Sequence, residues 1–255
     1  MNPRVRTSSR AAALPSLATL AMACAPVHAA PWVHPTAAEW TRATATLSDL
    51  RAGTPRAPFV VTMSTTLRDP RTGRVVDGRG AMAVAPGEAV RMILVGAAGA
   101  TLLDAWVTRA RWRIAVPPID YVRRGGAEDP VDLPVGFLRW WFFAPFEGTL
   151  FAASVRPAGI LWLLRRADAV VELRLGACPS GGLRLAATRR HAGRAEDVDE
   201  CSPSPHGGPA AGDVVRYVDE SSGLRVEIAV ESVGAAPADG EAFRDPDEAP
   251  AAPEL

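Results

Sequence analysis

Between Phe59 and Val116 apolar and polar residues alternate with a period of two through five consecutive segments. This pattern leaves a chain little choice but an antiparallel meander with one buried and one wetted face. Phe59, Val61, Met63, Thr65 and Leu67 point one way, and Val60, Thr62, Ser64, Thr66 and Arg68 the other. After the turn Asp69-Pro70-Arg71-Thr72-Gly73, Val76, Gly78, Gly80, Met82 and Val84 share a face, and Pro86-Gly87 ends the run. Val90, Met92 and Leu94 follow, then Leu103, Ala105 and Val107, then Trp112, Ile114 and Val116.

The same rhythm resumes at Thr149 to Val155, Ile160 to Leu164, Val170 to Leu175, Leu183 to Thr188, Val214 to Val218 and Leu224 to Val230, for about eleven strands in all. Ahead of the first strand, Thr36 and Glu39 make a capping-box pattern. Trp40, Ala43, Leu47 and Leu50 form one stripe, and Gly53 and Pro55 stop the helix. Between Pro134 and Pro145 the segment Phe137-Leu138-Arg139-Trp140-Trp141-Phe142-Phe143 has a length suited to a second, short helix. Four consecutive aromatics cannot all face inward from a helix lying on a surface, so one or two are expected to touch a ligand, a lid contact or a bilayer. Arg189 to Ala211 carries Asp, Glu, Pro and Gly and reads as a long connection. Residues 232–255, rich in Ala, Pro, Asp and Glu, read as a disordered tail.

With 255 residues and nearly half of them apolar, the chain has material for one β domain plus unstructured ends. Acidic and basic residues balance at 28 each, which gives no general attraction to nucleic acid. All the basic residues are arginine. GC-rich codon usage accounts for that, with phosphate-binding arginines as the alternative.

The N-terminus carries Arg4, Arg6 and Arg10 before an uncharged run from Ala11 to Ala23, the form of a secretory signal over residues 1–23. Leu20-Ala21-Met22-Ala23-Cys24 resembles the bacterial lipobox, in which the cysteine is lipidated and becomes the mature N-terminus, although Ala21 stands where leucine is usual. Cleavage near Val27-His28-Ala29, discarding Cys24, is the competing reading. Ala25 is not the aspartate that retains such proteins in the inner membrane, so the likeness implies an outer-membrane anchor, with residues 24–35 as tether. Export also favours oxidation of Cys178 and Cys201 to a disulfide, free thiols being the alternative; their spacing does not suit a zinc site, and no metal is expected.

No nucleophile with its base, no carboxylate pair and no GxSxG, phosphate-loop or HExxH motif is visible, and His28, His34, His191 and His206 fall in leader, tether or loop. The expectation is a protein that is not an enzyme and uses no cofactor. What the chain offers is an inward face thin in the middle, at Gly78 and Gly80, with Met63, Met82 and Met92 bringing flexible side chains to it. Ordinary packing with methionine as filler is the plainer account.

In order and pattern, the helix, the Phe59 to Arg68 strand with its DPRTG turn, RGAMAV at Arg79 to Val84, Arg91 to Leu94, Leu103 to Trp112 and the LPVGFLRWWFF segment together resemble the LolA/LolB-like lipoprotein carriers, the lipid-anchored LolB type above all. The resemblance implies a single unclosed antiparallel β-barrel over residues 36–231, covered by helices, whose apolar hollow receives acyl chains of lipoproteins or other lipids. Phe59, Val61, Met63, Met82, Met92, Leu94, Trp112, Ile114, Trp140 and Trp141 are its candidate lining. It also implies the outer membrane as seat and a periplasmic carrier protein as partner. Gly96-Ala97-Ala98-Gly99, at the place of the family's apolar membrane loop, has no bulky residue. An assembly lipoprotein that holds a protein partner on the same barrel is the second reading.

Overall fold

The first strand of the domain pairs with its last, and that one pairing joins two meanders into a single sheet. The structure is a computed structural model; it describes residues 34–70, 72–127, 129, 135–203, 208–237 and 240–248. The signal segment, Cys24 and most of the expected tether lie outside them. Val33–Leu255 is one compact unit.

The first meander runs through β1 (Phe59–Arg68), β2 (Val75–Ala85), β3 (Ala89–Val95), β4 (Thr101–Thr108), β5 (Arg111–Val116) and β6 (Tyr121–Gly126). The second runs through β7 (Thr149–Arg156), β8 (Gly159–Arg165), β9 (Val170–Ala177), β10 (Leu183–His191), β11 (Arg194–Ser202), β12 (Val214–Asp219) and β13 (Arg225–Ala235). Helix α1 (Ala37–Gly53) precedes the first, and α2 (Val135–Phe143) lies in the chain between the two. The order in the 13-stranded sheet is β6-β5-β4-β3-β2-β1-β13-β12-β11-β10-β9-β8-β7, antiparallel throughout, with β6 and β7 as unpaired edges. The fold is therefore mainly β, a single unclosed antiparallel sheet with its helices on one face.

The alternation read from the sequence is what sorts the faces. Val61, Met63, Met82, Met92, Leu94 and Ile114 are fully buried and Phe59 nearly so. They share one core with Trp162, Leu173, Val198, Tyr217 and Ile228 of the second meander. Both helices pack into this core. Thr36 and Glu39 close the capping box of α1, the Thr36 N–H donating to Glu39 Oε2 at 2.8 Å. Ala43, Leu47 and Leu50 are buried, and the Trp162 indole donates to the Ala43 carbonyl at 2.9 Å. Arg51, in the last turn, donates to the carbonyls of Phe146 (3.1 Å) and Gly148 (2.8 Å), fixing the chain beyond α2. The outer face is laced instead by ion pairs such as Arg79–Glu231, Arg91–Asp104, Arg184–Asp199 and Arg216–Glu227.

Three expectations need correction. First, β11 lies where a long connection was read. Its residues alternate between inward Glu196, Val198 and Glu200 and outward Asp197 and Asp199, so polarity hid the period. The outward pair is satisfied across the ladder by Thr188 and Arg184. Together with β6 this brings the strand count to 13. Second, the segment expected to be disordered from residue 232 continues β13 to Ala235, and residues 240–248 lie against the outer face of the first meander. The Trp106 indole donates to the Phe243 carbonyl at 2.9 Å. Asp245 meets Arg111, and Asp247 bridges Arg113 (3.0 Å) and Arg124 (2.6 Å). Third, Gly80 does not thin the interior. A Cβ there would stand 2.0 Å from the Ile93 carbonyl oxygen, so the glycine serves a close approach of β3.

Cys178, just beyond β9, and Cys201 in β11 are joined by a disulfide around the start of β10.

Candidate functional site: the concave face beneath the second helix

Nearly every side chain of α2 is apolar, which is untenable on an open surface and requires a seat that wraps it. The curved sheet is that seat. Val135, Phe137, Leu138, Trp140, Trp141 and Phe143 are all buried, and Phe142 is half-buried. All four aromatics can be covered because a helix inside a bowl has walls on most of its sides, and Trp141 and Phe142 face the cleft described below. For the same reason no exposed patch surrounds Trp140, which is 1% exposed. Arg139 alone reaches out, donating to the carbonyls of Thr108 and Ala127, both at 3.0 Å.

Under the first turn of α2 sits a polar socket. Glu196, in β11, accepts from the Tyr217 hydroxyl (2.9 Å) and from Arg189 Nε (2.6 Å), with His191 Nε2 at 3.5 Å. The Arg189 guanidinium lies over the Trp140 ring at 5.0 Å, and Phe137 stacks on Tyr217 at 4.7 Å. Burial, and after it the Glu196 carboxylate, push the Tyr217 hydroxyl far above its usual range, so it stays a donor. These groups satisfy one another, which makes the socket a mount for the helix.

Farther along α2 the packing loosens into a cleft of ≈40 Å³. Phe59, Val61 and Met82 from the first meander line it, with Val215, Ile228 and Val230 from the second. Trp141, Phe142 and Phe146 form its roof. One carboxylate, Glu200, stands in this apolar wall and accepts from the Trp141 indole at 3.2 Å. Burial first, and then the nearby Asp213 carboxylate, push Glu200 up to about 7, while the indole bond pulls the other way.

Of the ten candidate lining residues, Phe59, Val61, Met82 and Trp141 meet at the cleft. Met63, Met92, Leu94, Trp112, Ile114 and Trp140 are core residues away from it, so the methionines at 63 and 92 fill space as the plainer account has it. Sequence reasoning missed Phe142, Phe146, Leu185, Val215, Ile228, Val230 and Glu200. The period of β13 placed Ile228 and Val230 on one face, but only the β1–β13 pairing shows that this is the same face as Val61.

The fold and site thus define a class: an open antiparallel bowl with a short apolar helix lodged in it. Three solved structures are similar in arrangement. A LolA superfamily protein of Nitrosomonas europaea has 12% identity and a TM-score of 0.48, covering 80% of this chain and 97% of that one. A DUF1329 family protein of Desulfovibrio piger has 9% identity and a TM-score of 0.44, over 80% and 96%. A candidate outer membrane lipoprotein-sorting protein domain of Vibrio parahaemolyticus has 6% identity and a TM-score of 0.38, over 78% and 96%. The family resembled in sequence is thus represented among the similar structures, while the open sheet itself is read from this chain's own pairing. No protein-family model and no curated protein matches the chain.

Proposed function

We propose that the domain carries apolar molecules, the acyl chains of a lipoprotein or of another lipid, against its concave face, and that α2 yields its place to them. The observation that supports this is that the middle of the bowl is filled by one short helix, with the cleft at its side. A space of ≈40 Å³ holds about three waters, so the face is closed to an alkyl chain while α2 is seated. A dozen buried methylenes contribute about 10 kcal/mol, and the six buried side chains of α2 contribute about 1.5–3 kcal/mol each. The exchange is of comparable size on both sides, about 10 kcal/mol for one acyl chain against about 9–18 kcal/mol for the helix, so a guest with two chains outweighs it. Such a guest can replace the helix without large net cost, which is what reversible carriage requires.

Within the same proposal, export and acylation at Cys24 set the domain on the periplasmic side of the outer membrane, where a periplasmic carrier protein delivers the cargo. The mass of the mature N-terminus checks the anchor. For the cargo, lipid extracted from the purified protein is analysed by mass spectrometry, and displacement of a fluorescent fatty acid is followed in solution. A variant in which Trp141→Cys on α2 and Glu200→Cys on β11 are bridged by a short bifunctional thiol reagent is expected to take up none, while either single replacement treated alike still does. Failure of the unlocked protein to bind any lipid or fatty acid overturns the reading.

A further inference from the structure

Several arginines of the sheet are neutralised by a carboxylate, on a neighbouring strand at Arg91, Arg113, Arg184, Arg189 and Arg216 and on the next strand but one at Arg79. Arg165, Arg190 and Arg194 have no such partner among the described residues. All three stand at the tips of the adjacent β8–β9 and β10–β11 hairpins. The ladder sets Val170 between Arg165 and Arg190 and pairs His191 with Arg194.

The two tips border a shallow, open groove of ≈650 Å³ lined by these arginines with Arg166, His191 and Val170. Its one carboxylate is Asp168, 71% exposed and 4.0 Å from Arg166 Nε; the other Arg166 contact, Glu147, is at 3.0 Å. His191 leans on Glu196, which Arg189 and Tyr217 already hold. Ala192 and Gly193 bring no bulk to the turn and leave the groove open. With Arg166 held by Glu147, three guanidinium groups without a carboxylate partner line the groove beside one exposed carboxylate, in a chain whose charges balance at 28 against 28. Such crowding of like charge is relieved by an anion.

We propose that this groove is a binding site for a phosphate-bearing anion. Guanidinium forks match phosphate oxygens two at a time. By the ladder, Arg165 and Arg190 approach from the outer face on either side of Val170 and Arg194, paired with His191, from the inner one, so an oxyanion lodged between the tips is met from two sides. The phosphate is either that of a lipid headgroup in a bilayer or a soluble one. The site stands independently of what the concave face holds.

The test uses the full chain with Cys24→Ser, so that no acyl anchor can hold it to a membrane. Inorganic phosphate is titrated calorimetrically. In parallel, flotation is measured with vesicles of phosphatidylcholine alone and of equal parts phosphatidylcholine and phosphatidylglycerol. Saturable heat with phosphate marks a soluble ligand; flotation only with phosphatidylglycerol marks a headgroup. In either arm the triple variant Arg165→Gln, Arg190→Gln, Arg194→Gln is expected to weaken binding roughly a hundredfold, about fivefold per arginine. The control triple Arg79→Gln, Arg184→Gln, Arg216→Gln removes the same charge from the outer face and is expected to retain it. Absence of binding in both arms, an unaffected tip variant, or equal loss in the control overturns the proposal.

Discussion

Glu200 is the residue on which the acid–base behaviour of the cleft turns. Its carboxyl sits at about 7 in the folded protein against an ordinary value of 4.5, because burial and Asp213 disfavour the charge. The folded state thus binds this proton more tightly than the unfolded one. The stabilisation is full below pH 4.5, declines as pH rises toward 7 and is gone above it, a loss on the order of 3 kcal/mol. Glu200→Gln is expected to flatten that decline, as chemical denaturation at pH 5 and pH 8 will show; an unchanged slope refutes the assignment. This group was illegible in the sequence, where it stood in a run of Asp and Glu that read as loop. Gly80 was legible as a glycine on the inner face but not in its purpose. An absent side chain looks the same in sequence whether it leaves a hollow or admits a neighbouring backbone, and only the Ile93 carbonyl decides.

At the scale of elements, the strands with an apolar face were plain from their period, and so was α1 from its cap and stripe. α2 was visible as a helix between two prolines, but its burial was not. Whether four aromatics in a row can be covered depends on the shape of the receiving sheet, which no local pattern carries. β11 was lost because its inward positions include two glutamates, whose burial depends on Arg189 across the hairpin and on Tyr217 and Trp141, partners more remote in sequence. The disulfide ties this strand to the end of β9 across a sequence separation of 23, and closing such a loop stabilises a domain by about 3 kcal/mol. Reduction is expected to lower the unfolding free energy by about that amount and to speed amide hydrogen exchange first in β9, β10 and β11. Uniform acceleration over all strands would show that the bond acts on the whole sheet.

For the whole molecule, the closing of two meanders by β1 and β13 was beyond the reach of sequence, since alternation fixes faces but not which distant strands meet. The C-terminal segment belongs to this scale as well. Three of its acidic residues, Asp245, Asp247 and Glu248, answer Arg111, Arg113 and Arg124, and its backbone covers Trp106, which is 3% exposed. Hydrogen bonds from Arg124 above all, with the charges of Arg113 and Arg124, hold the Asp247 carboxyl below its ordinary value. Deleting residues 240–255 is expected to cost little stability, the partners Arg111, Arg124 and Glu248 being largely exposed, yet to open Trp106 to acrylamide quenching. Quenching equal to that of the intact chain would mean that the segment does not rest there in solution.

The unpaired β6 and β7 set the mechanics of the bowl. In a closed barrel the girth is dictated by strand number and stagger, and swelling means breaking the hoop. Here the circumference has a slit, so the two lips can part to fit a thicker occupant while each ladder within them stays hydrogen-bonded. On the reading proposed above, the molecule is a sleeve whose slit lets it adjust to what it carries.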